Sequence, residues 1–417
     1  MSTILKRMFK SYDYSLLVVY LLLGFFGVVM VYSAGIVWAV ERLNQSSDFL
    51  YHLQLRNLII GFIGFCVMAL IPYKLYREKP ITIFIVGIMF VLLGAVHLFG
   101  ANYNNAQSWL EIGSFQLQPS EFAKLGIIVY LAAVYTNKQS YIDEFNRGVM
   151  PPLIVLAFVF VLVASEPDFG TAAIIFIIGM TVMVGSGMKL KSMLKLAGIG
   201  LGIVGVLAGF FYLFLQDRFF RVFSEERMGR IAAYTDPFGH ITDNGWQLVG
   251  SYYAIGNGGL WGAGLGQSIQ KLGYLPEPHT DFIMAIIAEE LGIFGVSFVL
   301  LGLGYIVLRG IYIGIRSRDR FGRMLAIGIA SMIGIQAFIN LGGMSGLIPI
   351  TGVPLPFISY GGSSLILLSL AMGVLLNVSM FVKYEEKYRN GEKESIPKQA
   401  EVKAVPRYNA TRKTGRG

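Results

Sequence analysis

Long apolar stretches, separated by shorter polar segments, run along most of the chain. Each stretch is about 20 residues long, which as a helix is enough to cross ~30 Å of hydrocarbon. Ten such stretches are present, at roughly 14–40, 57–73, 80–100, 119–136, 148–165, 169–187, 193–215, 282–308, 323–342 and 359–382. The pattern predicts an all-α polytopic membrane protein with about ten transmembrane helices.

Basic residues are unevenly distributed among the connections between these stretches. They concentrate in the amino-terminal segment and in the second, fourth, sixth and eighth connections, whereas the third, fifth and ninth have none. Because cytoplasmic loops are enriched in Lys and Arg, both termini are predicted to be cytoplasmic. Residues 216–280 then form a large extracytoplasmic loop between helices 7 and 8. Residues 1–385 are predicted to be one transmembrane domain and residues 386–417 a basic, disordered cytoplasmic tail.

The composition supports this class and excludes several functions. Of the 417 residues, 55% are hydrophobic and only 14% are charged. The net charge of +9 does not indicate nucleic-acid binding, because the basic residues lie in alternate loops. The GAGLGQS segment lacks the lysine and the preceding strand of a nucleotide-binding loop, and the four histidines lack the spacing of metal ligands. The sequence therefore predicts no bound nucleotide, no nucleic-acid partner and no assigned metal.

Three predicted outer loops contain the segments best suited to chemistry. They are the large loop, ANYNNAQSWLEIGSFQLQ before the fourth span, and NLGGMSGLIPITGVPLPFISYGGSS before the tenth. Irregular backbone near membrane depth persists only where it is buried in protein or lines a wet cavity. The reaction site is therefore expected on the outer face.

Glu121 and Lys124 lie in the segment QPSEFAKL at the start of the fourth span. Their spacing of three places both side chains on one helix face, where they can pair. One interpretation is a structural ion pair at the end of the helix. The other is part of a binding site, because ionisable residues within spans commonly mark functional sites.

Asp281 lies in LPEPHTDFI, where a proline-broken segment meets the eighth span. In one interpretation Thr280 or Asp281 caps the helix, because an aspartate there suits the helix dipole. In the other, apolar neighbours and the adjacent His279 and Glu277 make Asp281 a general base, since partial desolvation raises the pKa of a carboxyl group.

Four more carboxylates are predicted to be structural. Glu289 lies ~12 Å beyond Asp281 along a helix, too far to be its direct partner. At least one of Glu289 and Glu290 is expected to point into the bundle, towards an arginine or a backbone amide. Glu166 and Asp168 occupy the short turn EPDFGTA and are expected in or near water.

Several of these motifs together resemble the SEDS family (shape, elongation, division and sporulation). The motifs are, in order, NNAQSWLEIGSFQLQPSEFAKL, EPDFGTA, YLPEPHTDFIMAIIAEELG and NLGGMSGLIPITGVPLPFISYGGSS. The resemblance implies a peptidoglycan glycosyltransferase that polymerises lipid II on the outer face of the cytoplasmic membrane. It also implies a class B penicillin-binding protein as partner. The family's catalytic aspartate matches Asp281, and its glutamate–lysine pair matches Glu121 and Lys124.

The segments GLGQSIQKLGYLPEPHTDFI and KSYDYSLL resemble the division and sporulation branch more than the elongation branch. This implies a multi-pass protein of the bacterial inner membrane, at the division septum with other divisome proteins. Trp246 and Gly250 replace the Tyr and Gln more usual in the family.

The expected reaction is displacement of undecaprenyl diphosphate from the donor sugar, with Asp281 accepting a proton and inversion at the anomeric carbon. The leaving diphosphate requires positive charge. Its source is predicted to be a divalent cation (Mg²⁺ or Mn²⁺) or basic side chains, namely Lys124, Arg218, Arg221, Arg230 or Lys271. His279 and Ser359 complete the predicted supporting residues. The alternatives are a lipid II flippase, since transporters also use broken spans and intramembrane carboxylates, and a non-catalytic scaffold.

Overall fold

The computed structural model describes most of the chain, namely residues 2–103, 106–113, 115–141, 144–166, 168–188, 195, 198, 229, 233–241 and 245–389. All but two residues of the seventh predicted span, part of the large loop and the tail from residue 390 lie outside the described residues. Arg218, Arg221 and Arg230 lie outside them as well.

Helices dominate the described residues. They are α1 (Ser2–Phe9), α2 (Tyr14–Glu41), α3 (Phe49–Leu70), α4 (Lys79–Phe99), α5 (Pro119–Asn137), α6 (Met150–Ser165), α7 (Phe169–Gly185), α8 (Trp246–Gly258), α9 (Ile283–Arg316), α10 (Arg320–Met344) and α11 (Gly362–Tyr384). Every predicted span except the seventh coincides with one of them. Seven are long and apolar enough to cross a membrane: α2, α3, α4, α6 with the turn before it, α9, α10 and α11 with the turn after it. The mostly helical membrane class is therefore confirmed, while the count of ten spans remains a prediction.

α5 lies at the centre of the bundle. It packs against α4, α7 and α10, and most of its side chains are buried, including both members of the Glu121–Lys124 pair. Pro119 occupies the first turn, where a proline costs no helix hydrogen bond. The fourth predicted span is thus a helix surrounded by protein, which explains why it tolerates ionisable residues.

α9 is interrupted near its start. Gly292 has φ 58° and ψ −146°, a backbone conformation that is essentially restricted to glycine. All side chains from residue 283 to residue 290 are buried, whereas Ile293 and Phe294 just beyond the break are exposed. The predicted span at 282–308 coincides with α9, but its sequence did not predict the break. A short buried helix, 283–291, precedes a longer one that ends at Arg316.

An irregular segment of residues 260–264 pairs with this break. The Ile293 amide donates to the Leu260 carbonyl at 3.0 Å, and the Ala263 amide donates to the Glu289 carbonyl at 2.8 Å. These hydrogen bonds satisfy backbone groups that the interrupted helix leaves without intrahelical partners. The glycine-rich stretch before Asp281 is therefore part of the support of α9.

A small antiparallel sheet lies between α4 and α5. Its strands are β1 (Ala101–Tyr103), β2 (Ala106–Ile112) and β3 (Phe115–Leu117), in that order. The Ser108 hydroxyl donates to the Glu166 carbonyl at 3.1 Å, and the Ser363 hydroxyl donates to the Gln116 carbonyl at 2.8 Å. The sheet thereby covers the α6–α7 turn and joins the start of α11.

Candidate active site

The segment before α9 is held by the segment before α11. The Ser359 hydroxyl donates to the Thr280 carbonyl at 2.5 Å and accepts from the Leu355 amide at 2.8 Å. The Tyr360 amide donates to the His279 carbonyl at 2.9 Å. The backbone just before the predicted catalytic aspartate is therefore fixed, and Ser359 is one of the residues that fix it.

Asp281 is half-buried beside these contacts. The Thr280 hydroxyl donates to Asp281 Oδ1 at 2.9 Å. The Asn340 side-chain amide donates to two backbone carbonyls, those of Asp281 and Val353, both at 2.8 Å. Asn340 thus ties α10 to both polar segments and sets the position of the aspartate.

The helix-cap interpretation of Asp281 does not match the structure. α9 begins at Ile283, and the residue in the N-cap position is Phe282, which makes no side-chain cap hydrogen bond. Neither Thr280 nor Asp281 occupies that position. The general-base role and a structural role for Asp281 both remain predictions.

His279 is buried between two aromatic side chains. Its ring centroid lies 5.6 Å from that of Trp38 and 5.7 Å from that of Tyr360. Burial lowers the pKa of His279 to about 4, so the imidazole is neutral at physiological pH. Its Nδ1 atom has no hydrogen-bond partner among the described residues. His279 therefore contributes a neutral polar nitrogen atom, and no positive charge, to the candidate active site.

Glu121 and Lys124 form a buried ion pair, with Lys124 Nζ 2.6 Å from Glu121 Oε1. The pair lies near Asp168, whose side chain accepts from the Gln118 side-chain amide at 3.1 Å. The Gln118 backbone amide in turn donates to Ser363 at 3.0 Å. The first turn of α11 therefore contacts the start of α5, while the segment before α11 contacts the segment before α9.

Glu289 and Glu290 both point into the protein, as expected for at least one of them. Glu289 accepts from the backbone amides of Ile269 and Gln270 at 3.1 Å and 3.3 Å, and from the Ser268 hydroxyl. These contacts hold the segment leading to Asp281 against the short buried helix. The interpretation of Glu289 as buried support is confirmed.

Glu290 anchors the same segment to α2. Lys271 Nζ lies 2.6 Å from Glu290 Oε1 and donates to Ser33 at 3.0 Å, and the Ser33 hydroxyl donates to Glu290 at 2.7 Å. Lys271 was one predicted source of charge for the diphosphate. In the structure its ammonium is buried and neutralised by Glu290.

Glu166 does not lie in water, and that expectation is wrong. Its side chain is 1% exposed and lies 3.9 Å from His97 Nδ1. Neither carboxylate oxygen has a hydrogen-bond partner among the described residues. Burial, together with the nearby charge of Asp168, raises the pKa of Glu166 to about 8. The group is therefore mostly protonated near neutral pH.

This burial predicts a pH-dependent stability. The unfolded chain loses the Glu166 proton near the usual 4.5, whereas the folded chain keeps it up to about 8. The contribution of Glu166 to stability is therefore largest below pH 4.5 and is lost as pH rises through 8, since the unfolded state binds fewer protons in that window. We expect Glu166→Gln to flatten the fall in melting temperature between pH 5 and 8. The control Glu144→Gln, at an exposed position, should keep the wild-type slope, and an unchanged slope in Glu166→Gln would contradict the prediction.

Three residues of this corner were not singled out in the sequence. Asn340 opens the motif NLGGMSG, and a polar residue followed by glycines was its only signal. Trp38 and Tyr360 look like ordinary aromatic residues near helix ends, and only the fold brings both against His279.

The described residues contain no cluster of three His, Cys, Asp or Glu side chains able to hold a metal ion. Mg²⁺ at phosphate-transfer sites commonly uses one or two carboxylates together with substrate phosphates. Asp281 could supply one such carboxylate. A divalent cation bound with the substrate remains a prediction.

Comparison with known proteins agrees with this architecture. The FtsW/RodA/SpoVE family model, described as "Cell cycle protein", matches residues 13–384. The chain is 51% identical to the probable peptidoglycan glycosyltransferase FtsW of Bacillus subtilis over 388 residues, covering 93% of this chain and 95% of that protein. It is 40% identical to stage V sporulation protein E of the same organism over 380 residues, covering 90% and 98%.

Solved structures share the fold. One, from work on structural coordination of polymerization and crosslinking by a peptidoglycan synthase complex, has a TM-score of 0.69 at 23% identity and covers 89% of this chain and 98% of that one. The rod shape determining protein RodA of Thermus thermophilus has a TM-score of 0.60 at 24% identity, with 90% and 98% covered. The chain belongs to the FtsW/RodA/SpoVE family of cell cycle proteins.

Proposed function

We propose that this protein is a peptidoglycan glycosyltransferase that polymerises lipid II during septal cell-wall synthesis. FtsW relatives that the chain matches along nearly its whole length are named probable peptidoglycan glycosyltransferases. The observation that supports the mechanism most directly is the half-buried Asp281, whose backbone is fixed by Asn340 and whose neighbour Thr280 is fixed by Ser359.

In the proposed reaction, the 4-hydroxyl of the acceptor N-acetylglucosamine attacks the anomeric carbon of the donor sugar. A carbon–oxygen bond forms on one face, and the bond to the diphosphate oxygen breaks on the other. The hydroxyl proton passes to Asp281, and undecaprenyl diphosphate leaves. Direct displacement of this kind inverts an α-linked donor into a β-linked polymer. A carboxylate general base contributes about 10²- to 10⁴-fold to such a step.

The setting of the proposed enzyme follows from its lipid-linked substrate. We place ten spans in the inner membrane, both termini in the cytoplasm, and Asp281 at the outer face. The peptidoglycan synthase complex that the fold resembles supports a class B penicillin-binding protein as partner. Other divisome proteins and surrounding membrane lipid complete the proposed partners.

The test is polymerisation by the purified full-length protein in liposomes, with a cognate class B partner and moenomycin to suppress contaminating transferases. Glycan chains are separated on a gel, and movement of fluorescent lipid II across the bilayer is followed in parallel. We expect glycan chains to form without coupled movement of lipid II across the bilayer. Translocation without polymer, in the presence of a competent partner, would replace the proposed enzyme by a flippase.

A further inference from the structure

Two arginines beside the aromatic neighbours of His279 lack the partners that other cations of the bundle have. The side chains of Arg42 and Arg56 make no hydrogen bond or ion pair with the described residues, and the Nε atom of Arg56 is buried. By contrast, Lys124 and Lys271 lie in buried ion pairs, and Arg309 pairs with Asp13 at 2.8 Å. Because a buried N–H without an acceptor costs free energy, the Arg56 side chain indicates a missing anionic partner.

Both arginines approach the histidine beside the catalytic aspartate. The Arg42 guanidinium lies 5.8 Å from the Trp38 ring centroid, and Trp38 contacts His279. Arg56 lies near Tyr360. Burial raises the pKa of the Tyr360 hydroxyl, and the positive charge of Arg56 opposes that rise. Tyr360 also contacts His279. Each guanidinium therefore lies near an aromatic side chain that itself contacts His279.

Helix α3 fixes Arg56 in this place. Two residues earlier, the Gln54 side-chain amide donates to the Ser359 carbonyl at 3.1 Å. One residue later, Asn57 lies against Gly362, where an added Cβ would be 3.2 Å from Asn57 Nδ2. Arg56 is thus held beside the segment that also holds Thr280.

The other described cations of this corner are poorly suited to a substrate anion. The ammonium groups of Lys124 and Lys271 are each 2.6 Å from a carboxylate oxygen, and withdrawing either would leave a buried carboxylate unpaired. His279 is neutral at physiological pH. The unpaired positive charge of the described residues here therefore comes from Arg42 and Arg56.

We propose that Arg56, assisted by Arg42, binds the diphosphate of the polyprenyl-diphosphate-linked substrate. This inference rests on the proposed function and names the residues that hold the leaving group. A guanidinium offers parallel N–H donors that match phosphate oxygens, so two of them suit the two phosphates of a diphosphate. The exposed apolar side chains of Val40 and Leu43 flank Arg42, as expected where a polyprenyl chain meets lipid.

The test measures binding without turnover. Full-length protein in nanodiscs is titrated with undecaprenyl diphosphate and with undecaprenol, using wild type, Arg56→Gln, Arg42→Gln and the control Arg77→Gln. Arg77 lies near the opposite end of α3 and donates to Asn137, so its loss should leave binding within about twofold. We expect Arg56→Gln to weaken diphosphate binding about 10- to 100-fold, the effect of losing charge-assisted hydrogen bonds. Arg42→Gln should weaken it less, because Arg42 is exposed.

The outcomes separate this inference from the proposed function. If wild type prefers the diphosphate and both Arg56→Gln and Arg42→Gln bind it equally well, the inference is overturned and the proposed function stands. If wild type does not distinguish the diphosphate from undecaprenol, both are overturned. A melting temperature for each variant separates lost binding from lost fold, and exposed Arg42 provides a variant whose folding is not at risk.

Discussion

Replacing Asp281 by asparagine is expected to abolish glycan polymerisation while leaving the protein folded. An amide has nearly the shape of the carboxylate but cannot accept the proton of the attacking hydroxyl. The contact from Thr280 can still be made to the amide oxygen, and the contact from Asn340 goes to the backbone, which the substitution does not alter. We expect a loss of about 10²- to 10⁴-fold in the initial rate of polymer formation.

The control for this prediction is Asp319→Asn. Asp319 precedes α10, and its side chain accepts from the Gly322 amide at 3.0 Å, a cap that asparagine can also make. Both variants should match wild type in melting temperature and in binding undecaprenyl diphosphate. Polymerisation by Asp281→Asn at the wild-type rate would show that Asp281 is not the base, and the buried pair of Glu121 and Lys124 would then be examined next.

Hydropathy predicted where helices lie but not which of their polar residues face inward. The second span was predicted from residue 57, whereas α3 begins at Phe49. Its first turns contain Gln54 and Asn57, which lower the hydropathy of the segment but are buried against the segment before α11. A hydropathy window cannot distinguish a polar residue facing protein from one facing water, so the predicted start was late.

The sequence predicted which residues belong to the candidate site better than it predicted how they are arranged. Asp281 and the Glu121–Lys124 pair were identified because carboxylates beside apolar runs are unusual in a membrane protein. Their supports, Ser359 acting on Thr280 and Asn340 acting on Asp281, are contacts between residues tens of positions apart. Such contacts depend on how α9, α10 and α11 pack, and no local pattern encodes them.

The break in α9 was missed because its sequence is typical of a continuous helix. The stretch AEELGIFG is apolar apart from two glutamates, and one glycine is tolerated within a helix. The break becomes necessary only when residues 260–264 pair with it. Gly262, at φ +78°, and Gly292, at φ +58°, then approach so closely that neither has room for a Cβ atom.

Replacing Gly292 by alanine should therefore be strongly destabilising. A Cβ there would lie 2.6 Å from the Gly262 amide nitrogen and closer still to the Leu260 carbonyl oxygen. The backbone conformation alone costs a non-glycine residue about 1–3 kcal/mol. Relief of the overlap requires residues 260–264 to separate from α9, which breaks the hydrogen bonds of the Ala263 and Ile293 amides. We expect the melting temperature in detergent to fall by several degrees or more, because each kcal/mol shifts it by about 2–4 °C in a domain of 150–250 residues.

The same helix offers a matched control in Gly304, where an added Cβ meets nothing within 4 Å. Gly304→Ala should leave the melting temperature unchanged or raise it, since alanine favours a helix over glycine by about 1 kcal/mol. Hydrogen exchange at the Ala263 and Ile293 amides should accelerate in Gly292→Ala and not in Gly304→Ala. Polymerisation should also fall in Gly292→Ala, because the released segment leads through Glu289 and Lys271 to the backbone that holds Asp281. Equal stability and exchange in the two variants would mean that the paired segment does not support α9, and that the position of Asp281 depends on the contacts of Ser359 and Asn340 alone.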